Sequence, residues 1–210
     1  MNSLLIGKDC NLSKNIIVEN KSIISLLDIF DKHKTHIILK ENSSLTINLF
    51  SKKAFDLDIK IDLYDNSKLI VNSSFINNDY HKEIIDVNLL GSNINVFVNV
   101  RGINNKSDVQ IILNGSNKSE SKNNIFHEYA KVINNTNSKN ILIPNLLVDN
   151  YTGIFNHGVS IGHINEKNIF YLESKGIERN KAKKMLENGF ILSVMDENIK
   201  EKIKAMLKED

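Results

Sequence analysis

The sequence predicts a mainly β protein: an array of short strands followed by a small helical unit. Three observations carry this reading. Asp56-Leu57-Asp58-Ile59-Lys60-Ile61-Asp62-Leu63 alternates strictly between charged and apolar residues, and Ile94, Val96, Val98 and Val100 repeat the two-residue period. Successive strand side chains point to opposite faces, so each segment reads as a half-buried strand. Segments of this kind recur at roughly 10 to 15 residues with polar turns between them. Beyond residue 164 the hydrophobic period becomes helical.

Weaker strand patterns occupy 35–39, 45–50, 68–76, 83–90, 109–113 and 125–132. Turns such as Glu41-Asn42-Ser43-Ser44 and Asp65-Asn66-Ser67 lie between strands, and Gly91, Gly102 and Gly115 mark three more. The single proline is Pro144, so nothing before it forbids central strands. A sandwich, a barrel and a β-solenoid all fit such spacing. Asparagine tilts the balance. The chain has 32 Asn and 31 Ile; Asn tolerates the left-handed conformation, turns the chain through its own amide, and can stack in ladders. Stacked coils of a solenoid are favoured, although the spacing alone leaves a sandwich open.

In the helical unit, 165–176 reads as a short helix. Asn165 is its N-cap, Glu166 suits the positive first turn and Gly176 closes it. A second helix spans 178–188, with Ala182, Met185 and Leu186 at helical spacing and Gly189 as its stop. A third spans 196–207, with Ile199, Ile203, Met206 and Leu207 on one side. The expected division is a β core over residues 1–164 and a helical segment over 165–210.

Composition excludes several classes. Cys10 is the sole cysteine, so neither a disulfide framework nor a Cys-rich zinc site can be built. The net charge of +2 argues against a general nucleic-acid binder. No run approaches the roughly 18 apolar residues of a membrane span. The start MNSLLIGKDC lacks the basic and apolar regions of a secretion signal, so a cytoplasmic location is expected. Neither GxxxxGK[ST] nor GxGxxG nor GxSxG occurs, which removes support for intrinsic ATPase, dinucleotide and serine hydrolase chemistry.

Among the six histidines, His33 and His36 lie in Asp31-Lys32-His33-Lys34-Thr35-His36, where the flanking lysines suggest a solvated turn. His157 lies in Phe155-Asn156-His157-Gly158-Val159-Ser160-Ile161-Gly162-His163, an apolar stretch bordered by glycines. Neutral imidazole is a good ligand for iron or zinc, yet a histidine in such a setting is more often structural. Lys8 and Asp9 offset each other beside Cys10, so nothing there activates the thiol. Asp56, Asp58 and Asp62 share one strand face, as an exposed face of an amphipathic strand would.

Residues 141–190 resemble the C-terminal core of the SufB/SufD family, scaffold subunits of Suf iron–sulfur cluster assembly. The resemblance runs through Ile141-Leu142-Ile143-Pro144-Asn145-Leu146-Leu147-Val148-Asp149-Asn150. Phe155-Asn156-His157-Gly158-Val159-Ser160-Ile161-Gly162 is similar to the family's Ser-His-Gly-Ala-Thr-(Ile/Val)-Gly stretch. Asn165-Glu166-Lys167-Asn168-Ile169-Phe170-Tyr171-Leu172-Glu173-Ser174-Lys175-Gly176-Ile177 is similar to its Leu-Phe-Tyr-Leu-x-Ser-Arg-Gly-Ile helix. Ala182 and Leu186-Glu187-Asn188-Gly189-Phe190 complete the series. Phe155 stands where the family often has Cys, Gly158 where the SufB branch has Glu, and residues 136–142 lack Cys, so the chain is closer to SufD. The usual member is about twice as long.

The resemblance implies a right-handed parallel β-helix followed by a small C-terminal helical segment. It further implies a non-catalytic subunit that pairs with a SufB-type subunit or a second copy of itself, and whose helices dock a SufC-type ABC ATPase. Ile169, Phe170, Leu172, Met185 and Phe190 become the expected docking residues. His157 becomes the expected iron or cluster ligand, with Cys10 a weaker second. No permanently bound cofactor is implied, only transient iron or an Fe–S cluster at a subunit interface. The alternative from the residues alone is a β-solenoid carbohydrate-active or carbohydrate-binding protein, disfavoured by five Tyr and no Trp.

Overall fold

The computed structural model describes residues 2–6, 15–27, 31–150 and 152–208. The strands alternate between two sheets. One holds β1 (Asn2–Ile6), β3 (Lys21–Leu27), β5 (Ser44–Ser51), β7 (Lys68–Asn77), β9 (Asn95–Asn104), β11 (Ile125–Asn134) and β13 (Ile154–Gly162), in that order. The other holds β2 (Asn15–Val18), β4 (Asp31–Leu39), β6 (Phe55–Leu63), β8 (His81–Leu89), β10 (Val109–Asn117) and β12 (Asn140–Val148). Every strand pairs in parallel with the strand two places on, never with its sequence neighbour. The chain is therefore a parallel β-solenoid, and among the described residues the antiparallel pairings that would make a sandwich do not occur.

The alternation seen in the sequence sets which residues are inside. In β6, Phe55, Leu57, Ile59, Ile61 and Leu63 face the interior while Asp56, Asp58, Lys60 and Asp62 face outward. Coil after coil adds its inward row to one apolar column between the sheets. Burying such side chains stabilises the fold by about 1.5–3 kcal/mol each, and stacking is the only way a coil this thin can bury them.

Asparagine makes the corners. Asn42, Asn66, Asn93 and Asn123 all have φ between 57° and 60°, the left-handed region that Asn visits more readily than other non-Gly residues. Each donates its backbone N–H to the next coil, to Asp65, Ser92, Lys122 and Thr152 carbonyls respectively. Their side chains stack as well: Asn93 Nδ2 donates to Asn66 Oδ1 at 3.2 Å and Asn123 Nδ2 to Asn93 Oδ1 at 3.4 Å. At the opposite corner Asn77 donates to Asn104 at 3.2 Å, and Asn104 to Asn140 at 2.9 Å.

Two glycines read as turns lie inside strands instead. Gly102 is in β9 and Gly115 in β10, and a Cβ on either would collide with the ring of Phe75 or Phe126. The missing side chain makes room for a neighbouring aromatic.

Three helices follow: α1 (Glu166–Ser174), α2 (Arg179–Leu192) and α3 (Glu197–Lys208). Asn165 caps α1, accepting from the Lys167 amide at 2.9 Å, and Gly176 follows the helix with φ of 82°. Gly189 does not stop α2, which continues through it to Leu192. Ile191, Met195, Ile199, Ile203 and Leu207 pack on Leu27, Phe50 and Ile103, on the outer face of the odd-numbered sheet. Asn48 Nδ2 donates to Asp196 Oδ2 at 3.0 Å and Lys52 Nζ to the Met206 carbonyl at 2.7 Å, so polar bonds also fasten α3 to that sheet.

Candidate metal and partner site at the solenoid end

β12 and β13 are the terminal members of their sheets, each hydrogen-bonded on one side only among the described residues. The inward row of β13 is Phe155, His157, Val159 and Ile161, in register with Phe126, Glu128, Ala130 and Val132 of β11. Any earlier coil would be covered by the next. This one is not, and Val159 and Ile161 stay exposed; Ile143, Leu147 and Ile154, in the outward phase of β12 and β13, are exposed as well.

His157 thus occupies a core position at the mouth of the core. Its side chain is 47% exposed, whereas Glu128 behind it is 1% exposed. His157 Nδ1 lies 3.8 Å from Glu128 Oε1. That oxygen is buried without a hydrogen-bond partner. Burial pushes the Glu128 carboxyl up to about 8, because the surrounding apolar column disfavours the charged form.

A half-exposed imidazole offers a nitrogen donor of a kind that suits iron, and the sealed carboxyl group behind it is out of reach of a ligand at the open end. Among the described residues no three His, Cys, Asp or Glu side chains converge into a metal site. The open end therefore presents one imidazole, and does not fit the thiolate set of a complete cluster. Cys10 lies outside the described residues.

The expected docking residues divide. Phe170 is 70% exposed and Met185 is also exposed, beside an exposed Tyr171. Ile169 is buried, Leu172 is half-buried, and Phe190 packs in the helix–sheet cluster with the Arg101 guanidinium over its ring.

The acidic face of β6 is neutralised across strands. Lys32 and Lys34 of β4 pair with Asp56 at 3.6 Å and Asp58 at 2.7 Å, and His36 meets Asp62 at 2.7 Å. Asn88 also donates to Asp62 at 2.7 Å, and these hydrogen bonds hold its carboxyl below the usual range against the opposing effect of burial. His33, two residues before a buried threonine, faces inward near Phe55.

Sequence reasoning missed Glu128, and with it a second interior pair. His81 and Glu83 of β8 are 1% and 0% exposed, with Nε2 to Oε2 at 3.5 Å and both Glu83 oxygens unpartnered. The signal was present: both acids stand in the apolar phase of their strands.

Residues 122–190 match the family model described as "SUF system FeS cluster assembly, SufBD core domain". No curated protein matches the chain. The matched segment contains β11, β12, β13, α1 and most of α2, and so the Glu128–His157 pair. The match supports the SufB/SufD family and, with it, a role in iron–sulfur cluster assembly. No described helix is long and apolar enough to cross a membrane.

Proposed function

We propose that the chain is a non-catalytic, SufD-like scaffold subunit of a cytoplasmic iron–sulfur cluster assembly complex, driven by a separate SufC-type ATPase. The family match over the last coils and first helices carries this reading. The absence of a phosphate-loop motif in the sequence is consistent with an ATPase on another chain. The exposed Phe170 and Met185 are the part of the helical unit suited to ATPase docking, while Ile169 is buried and Phe190 packs in the helix–sheet cluster.

The terminal strands β12 and β13 are the surface for a SufB-type subunit or a second copy of this chain. Unpaired strand edges and exposed Leu147 and Ile161 are features that a partner would cover. Iron held at this junction would be cargo. His157 would supply one ligand, and the partner would supply the thiolates that this chain lacks there.

Co-purification with a SufC-type ATPase tests the docking claim. Phe170→Glu combined with Met185→Glu is expected to abolish the complex and leave the fold intact. Absence of a complex with the unaltered chain, or one that survives the double change, overturns the assignment. Anaerobic iron loading of the complex tests His157: His157→Ala is expected to lower bound iron, and unchanged binding removes its ligand role.

A further inference from the structure

We infer that Glu128 is the positioning residue for His157: its buried oxygen accepts a hydrogen bond from the imidazole Nδ1–H and leaves Nε2 as the nitrogen free to bind a cation at the solenoid end. The inference rests on the reading of His157 as an iron ligand and deepens it. Three observations lead there. The two residues are directly paired across β11 and β13, so the backbone ladder fixes their spacing. Nδ1, rather than Nε2, is the ring nitrogen within 3.8 Å of Glu128 Oε1. That oxygen has no other partner, and an unmade hydrogen bond on a buried oxygen costs about 1–3 kcal/mol.

A small rotation of the half-exposed imidazole closes 3.8 Å to hydrogen-bond range, and the acceptor is then satisfied. A carboxyl oxygen can accept whether or not the other oxygen of the group carries a proton. Nδ1 and Nε2 lie on opposite sides of the five-membered ring, so an Nδ1–H turned to Glu128 leaves the Nε2 lone pair for the open end. A hydrogen-bond acceptor behind a ligating histidine fixes the ring's tautomer and orientation. The buried column around Glu128, with Phe126 and Ala130 on the same strand face, keeps it from turning away to solvent.

The test uses the full chain without iron, then with Co²⁺ as probe. The nitrogen-15 NMR signals of His157 in its neutral form report the tautomer. The unaltered chain is expected to show Nδ1–H. Glu128→Leu preserves an apolar interior and is expected to shift His157 to Nε2–H, whereas Glu128→Gln keeps an acceptor and is expected to retain Nδ1–H. An Nε2–H tautomer in the unaltered chain, or one indifferent to Glu128→Leu, overturns the inference. Co²⁺ affinity is expected to fall roughly 10- to 100-fold in Glu128→Leu and less in Glu128→Gln. If His157→Ala loses Co²⁺ while Glu128→Leu binds it undiminished, the positioning role fails and the ligand role stands. If His157→Ala binds Co²⁺ like the unaltered chain, the ligand role itself fails, and the inference falls with it.

Discussion

Among the described residues the interior holds two histidine–carboxyl pairs of similar spacing and opposite circumstance. His81 and Glu83 sit two residues apart on β8, 3.5 Å between their nearest atoms, and both are sealed from solvent. His157 and Glu128 face each other across two strands at 3.8 Å, and only the glutamate is sealed. Chemically the pairs are alike; the difference lies in whether another coil follows. β8 has β6 and β10 on its flanks, whereas β13 ends its sheet. The sealed pair is reached by nothing and acts on stability alone. The open pair has the same donor chemistry with one ring in reach of a ligand. Position along the solenoid separates a sealed histidine from an accessible one.

The largest expected effect breaks the sealed pair. His81→Ala removes a ring stacked on Phe75 at 3.6 Å and leaves Glu83 alone in an apolar column. Urea unfolding should show a loss of about 3–5 kcal/mol. Replacing both together, His81→Phe with Glu83→Leu, should be neutral or stabilising by about 1–4 kcal/mol, because neither buried polar group is then left behind. A double change as damaging as the single would mean that the pair contributes net stability, contrary to this contrast.

The open pair should reveal itself through pH. Glu128 has a folded-state value of about 8 against 4.5 for its ordinary value. The folded chain therefore keeps a proton that the unfolded chain has lost between those limits. Stability contributed by this group is full below about pH 4.5 and declines as pH rises towards 8, by an amount on the order of a few kcal/mol. Unfolding measured across that window should show the decline in the unaltered chain and a flatter profile in Glu128→Gln. An identical slope in the two would show that Glu128 is not the group responsible.

The smallest effect concerns the corners that carry both pairs. Asn66→Ala places an ordinary side chain at φ of 57° and removes the acceptor for Asn93. A loss of about 1–2 kcal/mol is expected from chemical unfolding, with the conformational part restored in Asn66→Gly. Neutrality of the alanine variant would mean that the ladder is incidental to the fold.

Much of this was legible beforehand. The alternation of β6 and β9 correctly marked Leu57, Ile59, Val96 and Val98 as inward residues, and Asn165 and Gly176 bracket α1 as their chemistry predicts. Glu83 and Glu128 could have been found, since each interrupts a row of apolar residues at a core position. Gly102 and Gly115 misled because their reason lies on other strands: the rings they admit belong to Phe75 and Phe126. Gly189 misled because the packing of Phe190 and Ile191 on the sheet outweighs the roughly 1 kcal/mol that glycine costs a helix.

By itself the sequence determined the strand period, the asparagine corners, the switch to helices and the family resemblance around His157. The first three are readable within a dozen or so residues, and the resemblance within the one segment 141–190. Only the tertiary structure decided that Glu128 stands behind His157 and that β13 ends the stack. The register step between coils runs from 20 residues (Asn2 to Ser22) to 31 (Val109 to Asn140). With no constant repeat, contacts between coils cannot be counted along the chain; they follow from how each coil settles on the last to bury its apolar row.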